Sequence, residues 1–220
     1  MVERRVAGIP LEHILGWVDF CGLRIAVSTG VFVPRQRTQL LVRQAAALAR
    51  PGSVVVDLCC GAGAIGLAIA ATAGAVDLHA VDVDPVCADC ARRNLAGVGT
   101  VHEGDLYAPL PTELRGCVDV LVANAPYVPT DEIALMPPEA RSHEPRLALD
   151  GGDDGLDVQR RIAAGATDWL APGGHLLMET SERQASSTAE AFRRGGLAPR
   201  IVGSADLHAT VVVGARADSR

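Results

Sequence analysis

The sequence predicts an α/β fold in which a mostly parallel sheet carries helices on both faces. The chief observation is that short runs rich in Val and Leu alternate with Ala-rich segments of helical spacing along most of the chain. Two strand-like segments close the chain, which is compatible with one antiparallel edge strand. A chain of 220 residues with 49% hydrophobic content is long enough to form one domain with a buried core.

The first predicted element is a β-hairpin. Its strands cover residues 17–20 and 23–27, because a Gly-containing turn separates two short apolar runs. A helix follows over residues 38–49, and Thr38 is a suitable N-cap for it.

The alternating part of the chain comes next. Its predicted elements are a strand at 53–58, a helix at 64–73, a strand at 76–81, a helix at 85–95, and strands at 101–103 and 118–123. A long polar loop over residues 128–155 follows, and loops of this length in compact domains usually carry function. The last predicted elements are a helix at 156–170, a strand at 174–179, a helix at 182–194, and strands at 200–202 and 210–213.

Composition excludes several functions. All 20 basic residues are Arg, so Schiff-base, P-loop and pyridoxal chemistry that depends on Lys is excluded. The net charge of −6 argues against a broad nucleic-acid surface. Cys87-x-x-Cys90 has no second Cys or His pair at a suitable spacing, so no metal site is predicted. The most apolar stretch divides into strand, loop and helix, and no signal peptide is visible; we expect a cytoplasmic monomer that does not contact membranes.

A glycine-rich loop follows the first strand of the alternating part. Gly61, Gly63 and Gly66 match the fingerprint of a dinucleotide-binding turn, in which backbone approaches a ligand closely. This spacing alone leaves an NAD(P)-dependent oxidoreductase open as an alternative.

Three carboxylates narrow the choice of ligand. Asp82 ends the second strand, where an acid binds a ribose diol, and Asp105 follows the third, where it can accept from an adenine amino group. Asp57 would repel a pyrophosphate but suits a cationic amino-acid tail. The set therefore favours S-adenosylmethionine over a dinucleotide. The alternative roles are a helix N-terminus partner for Asp57 and N-caps for the other two.

The strand at 118–123 ends in Asn124-Ala125-Pro126-Tyr127. The Asn124 oxygen and the Ala125 carbonyl can accept the two hydrogens of a planar NH2 group, while Pro126 fixes the turn and Tyr127 covers the flat face. Side-chain amides and the exocyclic amines of bases fit this description, and Lys amines do not. A plain strand-end turn is the alternative.

These motifs together resemble class I S-adenosylmethionine-dependent methyltransferases, and most closely the HemK-type protein-glutamine N5-methyltransferases that modify peptide-chain release factors. The segments that carry the resemblance are residues 10–16 with Phe20, 31–38, 57–63, 80–82, 104–105, 124–127, 143–145 and 148–152. The resemblance implies a Rossmann-like, seven-stranded sheet preceded by a hairpin. It divides the chain into a hairpin linker segment, 1–34, and a methyltransferase domain, 35–220.

The resemblance also implies which residues form the site. The cofactor residues are Asp57, Cys59, Cys60, Gly61, Ala62, Gly63, Asp82, Val83, Asp105, Leu106 and Asn124. The catalytic residues are Asn124, Ala125, Pro126 and Tyr127, and the substrate residues are Asn124, Pro126, Tyr127, Glu144, Pro145 and Arg35. A surface charge is the alternative role for Glu144. The implied partner is a protein with an exposed glutamine, such as a release factor.

The chain departs from the family pattern at several points. Ala125 stands where the family has Pro, and Cys59 stands where it often has Gly. Residues 206–210 form a shorter loop than the family's, and the family's N-terminal helical domain is expected to be missing. These departures predict an unchanged reaction class and weaker recognition of release factors.

Three alternative functions stay open at this point. The first is methylation of an exocyclic base nitrogen in RNA or DNA, which requires a flipped or single-stranded base and is disfavoured by the acidic charge. The second is the NAD(P)-binding oxidoreductase. The third is a non-catalytic module that binds S-adenosylmethionine, which the substitution at Ala125 keeps open.

Overall fold

A seven-stranded sheet forms the centre of the protein in a computed structural model that describes residues 2–217. A separate antiparallel hairpin precedes the sheet. The nine strands within this range are β1 Trp17–Phe20, β2 Leu23–Ala26, β3 Val54–Leu58, β4 Asp77–Asp82, β5 Gly99–Glu103, β6 Val118–Ala123, β7 Leu170–Thr180, β8 Leu197–Ser204 and β9 Ala209–Arg216. The order across the sheet is β5-β4-β3-β6-β7-β9-β8.

The sheet is mostly parallel, as predicted, and its one antiparallel strand is β9. This strand pairs with β7 on one side and β8 on the other. The predicted position of the antiparallel strand needs correction, because β8 occupies the edge and β9 lies one place inward. The Val211–Val213 run of β9 is buried on both faces, whereas β8 alternates with exposed residues, and such a pattern suits an edge.

Eight α-helices lie within residues 2–217. They are α1 Val2–Val6, α2 Leu11–Leu15, α3 Gln39–Ala46, α4 Ala64–Ala73, α5 Pro85–Asn94, α6 Pro138–His143, α7 Asp157–Trp169 and α8 Ala185–Arg194. Successive strand residues face opposite sides, so Val55 packs with α3, α4 and α5, and Val56 packs with α7 and α8. The prediction of helices on both faces is therefore confirmed.

Several predicted elements differ from the structure in extent. The predicted helix over residues 38–49 is a 3-10 turn, Gln36–Thr38, followed by α3, and the Thr38 side chain makes no capping bond. The loop over residues 128–155 contains α6 and two 3-10 turns, Glu132–Leu135 and Arg146–Ala148. Short helices in polar, Pro-containing segments lack the long apolar period that would predict them, and α1 and α2 were missed for the same reason.

The Asn94 side chain of α5 links the hairpin to the sheet domain. Asn94 accepts from the Ala26 backbone N–H at 2.9 Å and donates to the carbonyls of Ala26 and Ala62 at 2.9 and 2.8 Å. Phe20 and Ile25 of the hairpin belong to the same apolar cluster as α3 to α5. The division into a linker segment and a methyltransferase domain stays a prediction.

Two further expectations concern the role of the cysteines on α5 and the presence of a membrane-spanning helix. Cys87 and Cys90 are buried on α5, the packing expected of small apolar side chains. None of the helices found between residues 2 and 217 has both the length and the apolar character that a bilayer span requires.

Candidate active site

A cavity of about 580 Å³ opens where the carboxyl ends of β3, β4, β5 and β6 meet. Ligand sites of open α/β sheets lie in this position. Among the predicted site residues, those that line it are Arg35, Cys59, Cys60, Gly61, Ala62, Asp82, Val83, Asp105, Leu106, Asn124, Ala125, Pro126, Tyr127, Glu144 and Pro145. The fold thus brings the predicted cofactor and substrate residues to one cavity, and two predicted residues, Asp57 and Gly63, lie behind its wall.

The glycine-rich loop joins β3 to α4 in a left-handed backbone. Cys59 has a φ of +55°, which is costly for a residue with a Cβ, and Gly63 has a φ of +75°. A Cβ at Gly63 would approach Leu95 to 3.0 Å, so this glycine also allows α4 to pack closely on α5. The departure at Cys59 therefore places a thiol on the cavity wall at the expense of some backbone strain.

Asp82 connects the end of β4 to the glycine-rich loop. Its Oδ2 accepts from the Gly61 backbone N–H at 2.8 Å, and its Oδ1 accepts from the Asp84 N–H at 2.9 Å. Burial raises the pKa of Asp82, and these backbone donors oppose the shift. The carboxylate is therefore held by backbone groups while it faces the cavity.

Asp57 lies fully buried beneath the same loop. Its Oδ2 accepts from the Gly66 N–H at 2.9 Å, which matches the alternative role of a helix N-terminus partner. Its Oδ1 has no hydrogen-bond partner within the described residues. Burial raises the pKa of Asp57 to about 7, against the Gly66 bond. A cationic group would favour the ionised form of this carboxyl.

Asp105 lies at the far side of the cofactor region and is paired. Its Oδ2 contacts Arg161 Nη2 of α7 at 2.5 Å, and both side chains are more than half exposed. Val83 and Leu106 line the cavity nearby. Arg161 was missed by the sequence analysis, since nothing in its helix marks it as a site residue. An adenine amino group at Asp105 would share that carboxylate with Arg161.

The Asn-Ala-Pro-Tyr turn follows β6 directly and all four residues line the cavity. Asn124 Nδ2 donates a long bond of 3.5 Å to Thr38 Oγ1, which leaves the Asn124 oxygen as the acceptor toward a ligand. Ala125 is buried. The Tyr127 hydroxyl accepts from Arg37 Nη2 at 2.6 Å and donates to Glu179 Oε1 at 3.4 Å. Arg37 and Glu179 were also missed.

An ion pair holds the predicted substrate loop against the segment before α3. Arg35 Nη2 contacts Glu144 Oε1 at 2.6 Å, and the Glu144 side chain is only 1% exposed. The alternative role of Glu144 as a surface charge is therefore wrong. Burial raises the pKa of Glu144, and Arg35 is the first of the groups that oppose this. Pro145, next in the chain, lines the cavity mouth.

Comparisons with known proteins agree on a methyltransferase. A family model described as methyltransferase small domain matches residues 23–136. A release factor glutamine methyltransferase of Mycolicibacterium smegmatis is 41% identical over 89% of this chain and 70% of its own length. That of Geobacter sulfurreducens is 38% identical over 89% and 69%. A 4-amino-L-phenylalanine/4-methylamino-L-phenylalanine methyltransferase of Streptomyces pristinaespiralis is 37% identical, also over 89% and 69%.

Solved structures share the fold. A methyltransferase from Pyrococcus furiosus superposes with a TM-score of 0.69 at 17% identity, covering 98% of this chain and 99% of that one. A release-factor-specific protein-(glutamine-N5) methyltransferase from Alicyclobacillus acidocaldarius gives a TM-score of 0.51 at 24% identity, over 84% and 94%. The fold prediction of a class I methyltransferase is confirmed by these likenesses.

Proposed function

The chain belongs to the family of release factor glutamine methyltransferases, and on that premise we propose that it methylates the side-chain amide nitrogen of a glutamine in a protein. A peptide-chain release factor is the first candidate substrate. The observation that carries the proposal is that Asn124, Ala125 and Tyr127 line the same cavity as Asp82 and the glycine-rich loop. An amide bound at Asn124, Ala125 and Tyr127 would lie beside a methyl donor bound at Asp82 and the glycine-rich loop.

The cavity residues fit S-adenosylmethionine. The wall beside the glycine-rich loop carries the carboxylate of Asp82 for a ribose diol. Asp57, buried behind that wall with its Oδ1 unpartnered within the described residues, would add a negative charge that favours a cationic tail. Asp105, Val83 and Leu106 would border the adenine. When bound, S-adenosylmethionine supplies a methyl group on a positively charged sulfonium.

The chain's own residues orient the acceptor nitrogen. An amide nitrogen is a poor nucleophile because its lone pair is delocalised, so geometry has to do much of the catalysis. We assign Asn124 Oδ1 and the Ala125 carbonyl as acceptors for the two amide hydrogens. The nitrogen would gain the methyl group as the carbon–sulfur bond of the sulfonium breaks, and would then lose one proton to water. The two acceptors stabilise the positive charge that develops on the nitrogen before that proton leaves. Pro126 fixes the turn, and Tyr127 packs on the amide plane.

The alternatives predicted from the sequence are not favoured by family membership. The oxidoreductase and the non-catalytic module lack support from any of the relatives named above. One observation keeps an aromatic amine as a second candidate substrate: a relative of similar identity is named for 4-amino-L-phenylalanine. Its amino group is planar and carries two hydrogens, as does the exocyclic amine of a base. The cytoplasmic location and the monomeric state stay predictions.

The test is a transfer assay with labelled S-adenosylmethionine. Purified release factor, a Gly-Gly-Gln peptide, 4-amino-L-phenylalanine and single-stranded RNA are offered side by side, with Asn124→Ala as the control enzyme. We expect label on the glutamine of the release factor, at the slow rate that the sequence departures predict, located by mass spectrometry and lost in the variant. Asn124-dependent label in the RNA or the amino acid, with none in either glutamine substrate, would reject the glutamine assignment.

A further inference from the structure

Three side chains that lie far apart in the sequence meet behind the predicted amide site. Arg37 comes from the 3-10 turn before α3, Tyr127 from the turn after β6, and Glu179 from the end of β7. Arg37 Nη2 donates to the Tyr127 hydroxyl at 2.6 Å, and Arg37 Nε donates to Glu179 Oε1 at 3.0 Å. The hydroxyl completes the ring of contacts with a 3.4 Å bond to the same Glu179 oxygen.

The acidic member of this cluster, Glu179, is buried, so its negative charge has to be compensated. The Glu179 side chain is 1% exposed, and its Oε2 has no hydrogen-bond partner within the described residues. A carboxylate in such a place requires a compensating charge, which Arg37 provides. The Arg37 side chain stays 44% exposed and lines the cavity. The ion pair therefore fixes a cation at the wall of the site rather than deep in the core.

The Tyr127 residue is fixed at both ends. Its backbone carbonyl accepts from Gln184 Nε2 at 2.9 Å, and its hydroxyl is held by the pair just described. A tyrosine ring at a cavity mouth otherwise has two side-chain torsions that are free to turn it away. Fixing the hydroxyl removes that freedom before a substrate arrives, which is the requirement for a flat ring to orient an amide.

We propose that Arg37 and Glu179 are positioning residues for methyl transfer, which act by holding the Tyr127 ring over the acceptor nitrogen. The inference rests on the proposed function, because it assigns a task to Tyr127 in that reaction. Neither residue has to touch the substrate. An ordinary ion pair that only joins the segment before α3 to β7 would affect folding and leave the kinetics of the folded enzyme unchanged.

Kinetics of a double-mutant cycle separate these two roles. Tyr127→Phe keeps the ring and removes its hydroxyl, Arg37→Met removes the donor, and the double variant removes both. We expect each single variant to lower kcat/KM for the release factor ten- to hundredfold, with the dissociation constant of S-adenosylmethionine within twofold of wild type. Arg37→Met also leaves Glu179 without its partner, so it should be the poorer single variant. The double variant should be no worse than Arg37→Met, because both changes remove the same Arg37–Tyr127 hydrogen bond. Arg43→Met, on the exposed side of α3, is the matched control and should behave as wild type.

A spectroscopic measurement tests the contact without any substrate. The protein has two tyrosines, and burial raises the pKa of both, more strongly for Tyr107, so we expect Tyr127 to ionise first in an alkaline titration. Burial and Glu179 raise the pKa of Tyr127 and Arg37 lowers it. Arg37→Met should therefore shift the absorbance titration to higher pH, and Glu179→Gln to lower pH, with circular dichroism to follow folding.

The outcomes distinguish failure of the inference from failure of the proposed function. If the wild-type enzyme is active, two results overturn the positioning role. One is that Tyr127→Phe has the same kinetics as the wild type, and the other is that the losses of the two single variants add up in the double variant. A wild type that methylates no glutamine substrate rejects the proposed function and the role with it, whereas unshifted titrations show that the contact itself is absent in solution.

Discussion

The cofactor half and the substrate half of the cavity are held together in different ways. In the cofactor half, Asp82 accepts a hydrogen bond from a backbone N–H of the glycine-rich loop, and Asp57 accepts one from the first turn of α4. In the substrate half, Arg35–Glu144 and Arg37–Glu179 are side-chain ion pairs between residues 109 and 142 positions apart. One half is built by the sheet and its loops, and the other by contacts between distant segments.

The two halves of the cavity should respond differently to substitution of a side chain. Backbone donors persist whichever side chains surround them, so the cofactor half depends on a few carboxylates and glycines. The substrate half depends on pairs in which each partner compensates the other. Loss of one member leaves a buried charge without its partner, which costs more than the pair contributes. We therefore expect cofactor binding to tolerate substitutions other than those of its carboxylates and glycines, and substrate positioning to be sensitive to loss of either partner of each ion pair.

The largest expected effect is on the chemical step. Asn124→Ala removes an acceptor that counts most in the transition state, so the barrier should rise by roughly 2–4 kcal/mol, as for single donors lost from oxyanion sites. The affinity for S-adenosylmethionine should change little, because the cofactor half is intact. Single-turnover kinetics and calorimetry measure the two quantities. Transfer at the wild-type rate would make Asn124 a turn residue only.

The next largest effect should fall on cofactor binding. Asp82→Ala removes a charged acceptor for the ribose diol and a partner of the Gly61 N–H, at a cost of roughly 1.5–3 kcal/mol, or about ten- to a hundredfold in affinity. Asp89→Ala, an exposed acid on α5 that pairs with Arg92, is the control and should bind normally. An unchanged dissociation constant in a folded Asp82→Ala protein would remove Asp82 from the site.

These two halves also differ in how far the sequence predicted them. Asp57, Asp82 and Asp105 lie at or just after the carboxyl ends of three successive strands, so their meeting at one edge of the sheet could be inferred from local pattern alone. Arg37 and Glu179 meet because the segment before α3 packs over the end of β7, and no local pattern encodes that long-range contact. The short helices α1, α2 and α6 were missed because five or six residues are too few to show a helical apolar period.

A third prediction tests the substrate half through stability. Arg35→Met removes the guanidinium, which lies over the Phe32 ring at 4.8 Å, and leaves the Glu144 carboxylate buried without its partner. Because Arg35 is itself 34% exposed, the free energy of unfolding should fall by about 1–2 kcal/mol, less than for a fully buried pair. Denaturant unfolding measures it. Arg183→Met, which breaks an exposed pair with Glu132, should cost nothing measurable. Equal losses in the two variants would contradict the contrast between buried and exposed pairs.

The smallest effect, taken over a single pH unit, is a dependence of stability on pH that originates in Asp57. The folded pKa of about 7 lies above the ordinary value of 3.8, so between these values the folded state binds more protons than the unfolded state. The free energy of unfolding should therefore fall as pH rises through this window and level off above about pH 7. From pH 5 to pH 6 the contribution of Asp57 is about 1 kcal/mol.

The Asp57→Asn side chain cannot ionise, so this variant should lack the contribution. The slope of the unfolding free energy against pH is measured for both proteins, and the difference between the two slopes isolates Asp57 from every other titrating group. Saturating S-adenosylmethionine should flatten the wild-type slope, because its ammonium group favours the ionised carboxyl. Parallel slopes without ligand would mean that Asp57 is already ionised in the folded protein. A slope that the ligand leaves unchanged would mean that Asp57 serves only the Gly66 N–H, and that the cofactor half recognises the cationic tail elsewhere.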